Sequence, residues 1–299
     1  MKHIVSLSLL ILSVFLLTAC GSGSDQQTST GAYLGGTSGV LAVFEPFGVE
    51  ENGVYSVYDT EAFPIEVTVQ NKGEYDVKPG DVTIRLLGPA PTEFSGIATR
   101  ELKNQQAIDK ISELVPEGGE QTLTFATAAK YNNQVVGVIN RDWFVNLEYK
   151  YQTYVIVPEV CLKEDLTDER VCTVRENKNF FVSGAPLTVT AVEEDTAGKG
   201  IMALRLKIRN VGGGDITKVS EEFGVNDQLT YTLDDPAWEC KSAGRIGEAR
   251  LQNNEAEILC KLKEPLQKDD LYTKQVQLTF DYKYRDIVPE TLRIKQSVK

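Results

Sequence analysis

Cysteine is the residue type in this 299-residue chain whose number and spacing point most directly to chemistry. Cys20 follows an apolar N-terminal segment, and four more cysteines, Cys161, Cys172, Cys240 and Cys260, lie in the second half of the chain. A cysteine thiolate can form a disulfide, hold zinc or act as a nucleophile. An even number of cysteines in an exported chain favours disulfides.

Three pairings of those four cysteines are possible, and we predict Cys161 with Cys172 and Cys240 with Cys260. Each pair is close in sequence, and a polar, turn-like stretch separates its members. Closing loops of this size stabilises a fold by roughly 3 kcal/mol each in the chain-entropy treatment. A four-cysteine zinc site is the alternative, although neither spacing is the C-x-x-C typical of zinc sites.

Carboxylates are the second group of side chains that could support chemistry. Adjacent acidic residues occur at Asp168-Glu169, Asp234-Asp235, Asp269-Asp270 and Glu193-Glu194-Asp195. Calcium takes six to eight oxygen ligands, and Glu193, Glu194 and Asp195, near the expected domain junction, are the weak candidates for it. Because the spaced acidic loop of a calcium site is missing, solvated turns are the preferred interpretation, and no metal or cofactor is predicted.

Aromatic residues could form a surface on which sugar rings stack. Strand alternation places most of them on the core side instead, where a tyrosine hydroxyl often sits near the edge of the core. Tyr154 is out of phase and is the best exposed candidate. The residues considered are Trp143, Tyr149, Tyr151, Tyr154, Trp238, Tyr282 and Tyr284.

The N-terminus has the pattern of an export signal. Lys2 and His3 precede an apolar run from Ile4 to Leu17, which is shorter than the roughly 20 residues of a membrane span. The run ends in Leu17-Thr18-Ala19-Cys20-Gly21, which resembles the lipobox of prokaryotic lipoproteins. An ordinary secretory signal with an incidental cysteine, or a short uncleaved membrane helix, are the alternatives.

The lipobox resemblance implies that residues 1–19 are removed and that Cys20 receives a diacylglyceryl group. Two acyl chains are enough for stable anchoring, whereas one is marginal. We therefore expect a lipid-anchored protein on the extracytoplasmic face of the cell membrane. Residues 20–39 are rich in Gly, Ser, Thr and Gln, and we expect a flexible tether with a reach of about 24 Å.

Composition excludes several functions of the processed chain. The one histidine, His3, leaves with the signal, which rules out Ser-His-Asp or Cys-His catalysis and histidine-ligated metals. The formal net charge is −12 without a basic cluster, which argues against nucleic-acid binding. Mechanisms based on lysine or on paired carboxylates survive, but 43 acidic residues make some pair inevitable, and we do not predict an enzyme.

Two blocks recur in the same order in both halves of the chain. Residues 65–69 and 204–208 alternate apolar and polar side chains, and each run leads into an Asn-x-Gly turn at Asn71 or Asn210. A second alternating block follows, ending at Val-Pro-Glu in both halves; it covers residues 145–151 and 276–284. The repeat predicts a duplication.

Short strands separated by Gly, Pro and Asn turns predict an all-β chain with two tandem immunoglobulin-like antiparallel sandwiches, at residues 40–182 and 183–299. This division places one predicted disulfide in each sandwich. Residues 101–115 are the exception, because their apolar residues could line one side of a short helix.

The segments PIEVTVQNKGEYDVKPGDVTIRL and ALRLKIRNVGGGDI resemble CARDB-type immunoglobulin-like domains of bacterial and archaeal surface proteins. That resemblance implies an adhesive, stalk or scaffold role with a protein or cell-envelope partner, and it carries no catalytic residues. The alternative function is a ligand-binding lipoprotein that serves a transporter or envelope machine. The cysteines and the long connection from Pro89 to Gly119 lie outside the general pattern of these domains.

Overall fold

The computed structural model describes residues 31–168 and 170–298. Residues 1–30, with the predicted signal and Cys20, lie outside the described residues, as does Glu169 of the acidic pair at 168–169. Gly31–Lys299 form one compact unit. The fold is all-β, and the helical piece recorded in this unit is one 3-10 turn, Pro91–Glu93. Within the described residues, no helix has the length and apolar character needed to cross a membrane.

The strands are numbered β1 to β20 in chain order. Those of the first half are β1 Val40–Phe44, β2 Val49–Glu51, β3 Val54–Tyr58, β4 Ala62–Asn71, β5 Val82–Leu87, β6 Phe94–Ser95, β7 Glu101–Lys103, β8 Glu120–Tyr131 and β9 Val138–Lys163. Those of the second half are β10 Glu176–Asn177, β11 Phe181–Val182, β12 Leu187–Gly198, β13 Ile201–Asn210, β14 Asp215–Thr217, β15 Gln228–Leu233, β16 Trp238–Ser242, β17 Arg245–Ile246, β18 Glu248–Arg250, β19 Glu255–Leu262 and β20 Leu271–Lys295.

These strands form three sheets. The first small sheet has the order β1-β4-β8-β6, and the second small sheet has the order β10-β12-β13-β19-β16-β17. The third, which we call the shared sheet, has ten strands and contains the path β18-β15-β20-β9-β5-β7. Both small sheets pack on the shared sheet, so the molecule consists of two sandwiches with one common layer.

The strand order in each sandwich is that of an immunoglobulin constant-type domain, in which strands A-B-E-D face strands C-F-G. In the first sandwich β1-β4-β8-β6 face β5-β9-β20, and in the second β12-β13-β19-β16 face β15-β20-β9. Strand β9 is therefore F in the first sandwich and G in the second. Strand β20 has the reciprocal roles.

The two long strands explain this exchange. Strand β9 has 26 residues, about 85 Å of extended chain, and it pairs antiparallel with β20 from Val138 opposite Lys295 to Lys163 opposite Leu271. Along β9 the odd-numbered side chains from Trp143 to Val157 are all buried. One face of the strand therefore contributes side chains to both cores. The expected boundary at residues 182 and 183 does not separate two self-contained sandwiches, because each takes its last strand from the other half.

The duplication is visible in the hydrogen bonds of the first Asn-x-Gly turn. Asn71 is fully buried, and its amide nitrogen donates to the carbonyl of Tyr75 at 2.7 Å. Its side-chain oxygen accepts the Gly73 N–H at 3.2 Å. The Tyr151 hydroxyl donates to the same Asn71 oxygen at 3.1 Å and accepts the Tyr75 N–H at 3.3 Å.

The second turn repeats this pattern. Asn210 donates to the carbonyl of Gly214 at 2.7 Å and accepts the Gly212 N–H at 3.2 Å. The Tyr284 hydroxyl accepts the Gly214 N–H at 2.6 Å. Asn210 and Tyr284 therefore occupy the positions of Asn71 and Tyr151, and the predicted repeat is confirmed at the level of single bonds.

Four tyrosines, Tyr149, Tyr151, Tyr282 and Tyr284, meet where the two sandwiches join. Each is at most 3% exposed, as expected for core residues. The Tyr149 and Tyr284 rings lie 5.4 Å apart, and the Tyr282 hydroxyl is 2.9 Å from that of Thr153. Burial raises the pKa of all four phenols, that of Tyr284 to about 12. The cluster is thus an uncharged core shared by both halves.

Of the expected tether at residues 20–39, the structure describes residues 31–39. Glu74 accepts the N–H groups of Leu34 and Gly35, both at 2.8 Å, and that of Gly184 at 2.6 Å. Ala185 donates to the carbonyl of Gly36 at 3.3 Å. Residues 31–39 are therefore part of the folded unit, because a buried carboxylate satisfies their backbone.

The expected helix at residues 101–115 does not form. Its first residues are strand β7, which pairs with β5. Ile108 is buried and forms a bridge with Val77, whereas Leu114 is 93% exposed. Leu102 and Ile108 pack on the core individually, so the apolar residues of this segment do not share one face.

We predict that Asn71→Ala and Asn210→Ala each lower the free energy of unfolding by about 3 kcal/mol, because each leaves buried backbone groups without a partner. Asn133→Ala, on an exposed loop, is the control and should change it by less than about 0.5 kcal/mol. Urea denaturation followed by tyrosine and tryptophan fluorescence measures both. Equal effects of all three substitutions would contradict the assigned role of the two turns.

Candidate functional site

Both predicted disulfides are present. Cys161 pairs with Cys172, with Cα atoms 5.7 Å apart. Cys240 pairs with Cys260, directly opposite on β16 and β19. Because Cys161 lies on the part of β9 that completes the second sandwich, both disulfides stabilise the second sandwich. The expectation of one disulfide in each sandwich is wrong, and the reason is the exchange of the long strands.

The calcium candidates Glu193, Glu194 and Asp195 do not converge. They are consecutive residues of β12, and neighbouring side chains of a strand point to opposite faces. Glu193 forms an ion pair with Lys207 at 2.8 Å, and Asp195 forms one with Arg175 at 3.3 Å. In residues 31–168 and 170–298, no group of three or more metal-binding side chains is found. These carboxylates serve ion pairs of the second sandwich.

Glu194 is instead buried beside the first disulfide. Its carboxylate accepts the Cys161 N–H at 2.9 Å and lies 2.7 Å from Nζ of Lys178, whose side chain is 7% exposed. Burial raises the pKa of Glu194, although Lys178 opposes the shift. Burial alone would lower the pKa of Lys178, but hydrogen bonds to Glu176 and Glu194 raise it. The contact between Glu194 and Lys178 is therefore a buried part of the second sandwich.

A groove of about 430 Å³ lies over this pair. Side chains of both charge signs line it, among them Arg175, Glu193, Asp195, Arg205 and Lys261. Many of these charges pair with each other, as Glu193 does with Arg205 at 3.9 Å. The sequence held no signal for Lys178, because a single lysine among 31 basic residues has no pattern.

Tyr154, the best exposed aromatic candidate, is half-buried in the structure. Tyr33 stacks on it with ring centroids 6.4 Å apart and planes 14° from parallel. The Tyr154 hydroxyl donates to Gln152 at 2.6 Å. Trp143 and Trp238 are buried, as predicted. The aromatic residues therefore build cores, and the chain itself covers one face of Tyr154.

Tyr33 and Tyr154 also line a groove of about 550 Å³, which we call the tether groove. Residues 31–34 form one wall, residues 110–113 form another, and Glu74 and Gln277 complete it. Glu74 was missed from the sequence, although the repeat contains a signal for it. The residue three after Asn210 is Gly213, so this acidic position is peculiar to the first half.

The outer faces of the three sheets differ in character. The shared sheet carries ion pairs such as Arg85–Glu148 at 2.7 Å and Lys150–Asp81 at 2.9 Å. The second small sheet carries Lys207–Glu193 and further pairs along β13 and β19. The first small sheet has threonines at its centre and two exposed apolar residues, Leu41 and Val43, on β1.

A scan of the sequence against protein-family models gives no match, and a search of curated proteins finds no relative. The functional argument for this chain therefore depends on its own residues and geometry.

We predict that Lys178→Met lowers the free energy of unfolding by about 3 kcal/mol near pH 7, because it leaves a buried carboxylate without its cation. A carboxyl whose pKa is raised in the folded state binds a proton more tightly there than in the unfolded chain. The loss should therefore shrink as the pH falls below about 7, because the raised pKa of Glu194 favours uptake of a proton in the folded state.

Lys207→Met is the matched control, since it removes the cation of the exposed pair with Glu193. It should cost less than about 1 kcal/mol and show no recovery at low pH. Thermal denaturation of both variants across this pH range measures the difference. A pH-independent loss in Lys178→Met would contradict the proposed ion pair.

Proposed function

We propose that this chain is a lipid-anchored protein of the extracytoplasmic membrane face, with a structural, adhesive or partner-binding role. The observation that carries the proposal is the shared sheet with a tether clamped near its middle. The lipobox resemblance of residues 17–21 supports the anchor. The immunoglobulin-type strand order supports the resemblance to CARDB-type surface domains.

Rigidity is the property that suits such a role. Domains in one chain usually move relative to each other, because a small interface joins them. Here β9 and β20 pair along nearly their whole length, with one irregularity between Lys274 and Val276. Bending the body at its centre would break backbone hydrogen bonds around Tyr151 and Tyr282. The two sandwiches therefore present their surfaces in a fixed relation.

The contacts of Glu74 bear on how the folded part is oriented at the membrane. Glu74 holds Leu34 and Gly35 beside Gly184, at the join of the two sandwiches. The long strand β9 has 26 residues, and Glu74 holds the chain near the middle of this strand, so we favour a scaffold that lies along the membrane over an end-on stalk.

The tether groove is the observation that favours a ligand-binding function. Sites for small molecules usually enclose most of the ligand surface. In this groove Tyr33 already occupies one face of Tyr154, and the remaining walls are largely the chain's own tether and the segment 110–113. The structural role therefore remains the better supported one.

We predict that Cys20→Ser moves the protein from the membrane fraction to the soluble fraction, because the variant has no thiol to acylate. Mass spectrometry of the wild type should show the lipid on the N-terminal peptide. The double variant Cys240→Ser/Cys260→Ser is the control, since it removes two disulfide-bonded cysteines but keeps Cys20. Full retention of Cys20→Ser in the membrane fraction would contradict the anchor.

We predict that Glu74→Ala releases the tether from the body. Amide hydrogen exchange of Leu34 and Gly35 should accelerate at least about tenfold, which corresponds to 1.4 kcal/mol of lost hydrogen bonding. Glu113→Ala, an exposed carboxylate on the same groove, is the control and should leave these amides protected. Unchanged exchange in Glu74→Ala would show that other contacts hold the tether.

A further inference from the structure

One lysine and two glutamates meet beside the first disulfide. Nζ of Lys178 lies 2.6 Å from Oε1 of Glu176 and 2.7 Å from Oε2 of Glu194. The same Nζ donates to the carbonyl of Thr173 at 3.2 Å. The side chains of Lys178 and Glu194 are 7% and 0% exposed, respectively. A primary amine and a carboxyl, the two groups that condense to an amide, are thus held in contact away from solvent.

Neighbouring strands position these groups. Strand β10 pairs antiparallel with β12, and Glu176 stands directly opposite Glu194. Lys178 directly follows β10, and its N–H donates to the carbonyl of Val192 at 2.8 Å. Because residues two apart in an extended segment point to the same side, the side chains of Glu176 and Lys178 both reach Glu194. Groups aligned in this way react with effective molarities of about 10⁵ M or more.

A backbone donor completes the arrangement. The Cys161 N–H donates to the Glu194 carboxylate, at 2.9 Å from one oxygen and 3.2 Å from the other. A fixed N–H at this position stabilises the negative charge that develops on oxygen when the carboxyl carbon is attacked. Glu194 therefore has a nucleophile and an oxyanion donor within hydrogen-bond distance of its carboxyl group.

We propose that Lys178 and Glu194 form an isopeptide bond with each other once the second sandwich has folded. The ammonium first gives one proton to the Glu194 carboxylate, which leaves a neutral amine and a neutral acid. The electron pair of Nζ then forms a bond to Cδ of Glu194. Glu176 takes the second proton from Nζ and delivers it to the hydroxyl of Glu194, the C–O bond breaks, and one water leaves.

Burial favours this proton transfer. Two separated charges are costly in a site shielded from water, and a neutral acid beside a neutral amine avoids that cost. Burial raises the pKa of the Glu194 carboxyl, in the direction of the neutral acid. Hydrogen bonds to the two glutamates raise the pKa of Lys178, so the ion pair is the starting state and the bond forms slowly after folding.

The groove over the pair provides an exit for the water. Glu176 and Glu194 both line this groove of about 430 Å³. Glu176, whose side chain is 42% exposed, lies between the buried amine and solvent and can carry a proton between them. A general acid and base at hydrogen-bond distance from the reacting nitrogen is the group that amide formation requires.

Lys218 provides an internal comparison. It also contacts two glutamates, Glu221 at 3.1 Å and Glu248 at 2.8 Å. The side chains of these glutamates are 42% and 41% exposed. A hydrated carboxylate is a poor electrophile, so we expect no bond at Lys218. Burial of the electrophile distinguishes the two sites.

The bond goes beyond the proposed function and does not depend on the membrane anchor. It joins the end of β10 to β12 next to the Cys161–Cys172 disulfide. Unlike that disulfide, an amide is unaffected by reducing agents. The second sandwich would therefore keep one covalent link under conditions that break both disulfides.

The test is peptide mapping of the full chain by mass spectrometry, after denaturation and reduction of the disulfides. Trypsin cleaves after Arg175 and Lys199, and it cleaves after Lys178 only where the amine is free. We expect a peptide of residues 176–199 that lacks the mass of one water molecule. Cleavage after Lys218 should be complete. A peptide of residues 179–199 as the main product overturns the proposal.

Fragmentation of the linked peptide identifies the carboxyl that reacted. A bond between Lys178 and Glu194 closes a ring, so single backbone breaks between these residues release no fragments. A bond to Glu176 leaves residues 179–193 open to fragmentation, and that result overturns the assignment of Glu194.

Variants test the roles of the amine and of Glu176. Lys178→Arg keeps the positive charge without a primary amine, and the water loss should vanish. Glu176→Gln cannot carry the proton, and the ratio of linked to free peptide should fall at least about tenfold. Glu221→Gln, at the Lys218 site, is the matched control and should retain the wild-type ratio. Thermal denaturation checks that each variant folds, and an unchanged ratio in folded Glu176→Gln overturns the proton transfer through Glu176.

Discussion

The antiparallel ladder between β9 and β20 is the interaction on which the rest of the structure depends. Each strand continues beyond its own sandwich and becomes the last strand of the other. Without this ladder, each sandwich would expose an edge and an incomplete core. The exchange is possible because the alternation of buried and solvated residues keeps one phase in β9 from Trp143 to Val157, so one face of this strand supplies both cores.

The join of the two sandwiches is built from polar side chains that satisfy each other. Tyrosine hydroxyls and the amides of Asn71 and Asn210 bond to backbone groups of the turns, which meets the requirement that buried polar groups have partners. Close approach requires glycine: a Cβ at Gly73 would lie 2.2 Å from the Tyr151 hydroxyl. Glu74 adds the backbone of Leu34 and Gly35 to this network, so residues 31–39 are coupled to the core.

The surface contributes less to stability than the two cores do. Most surface ion pairs contribute little to stability, and on the shared sheet and the second small sheet they leave well-solvated faces. The first small sheet lacks such ion pairs on β1, where the outward residues Leu41 and Val43 are apolar and exposed.

The sequence by itself determined the strand type, the repeat, the disulfide pairs and the burial of the tyrosines, because these follow from local alternation and from short separations along the chain. Only the tertiary structure decided where the long strands end. The Val-Pro-Glu sequence is typical of a strand end, yet β20 continues through Pro289. At Pro289 the strand pairs with β9 on one side only, because β14 pairs with β20 before this position and β3 pairs with it after this position. A proline is tolerated where no hydrogen bond is needed on the second side. The tertiary structure also decided which partners the buried and exposed carboxylates have. Glu194 pairs with Lys178, and Glu74 accepts the Gly184 N–H. These contacts join residues that are distant in sequence, and no local pattern encodes them.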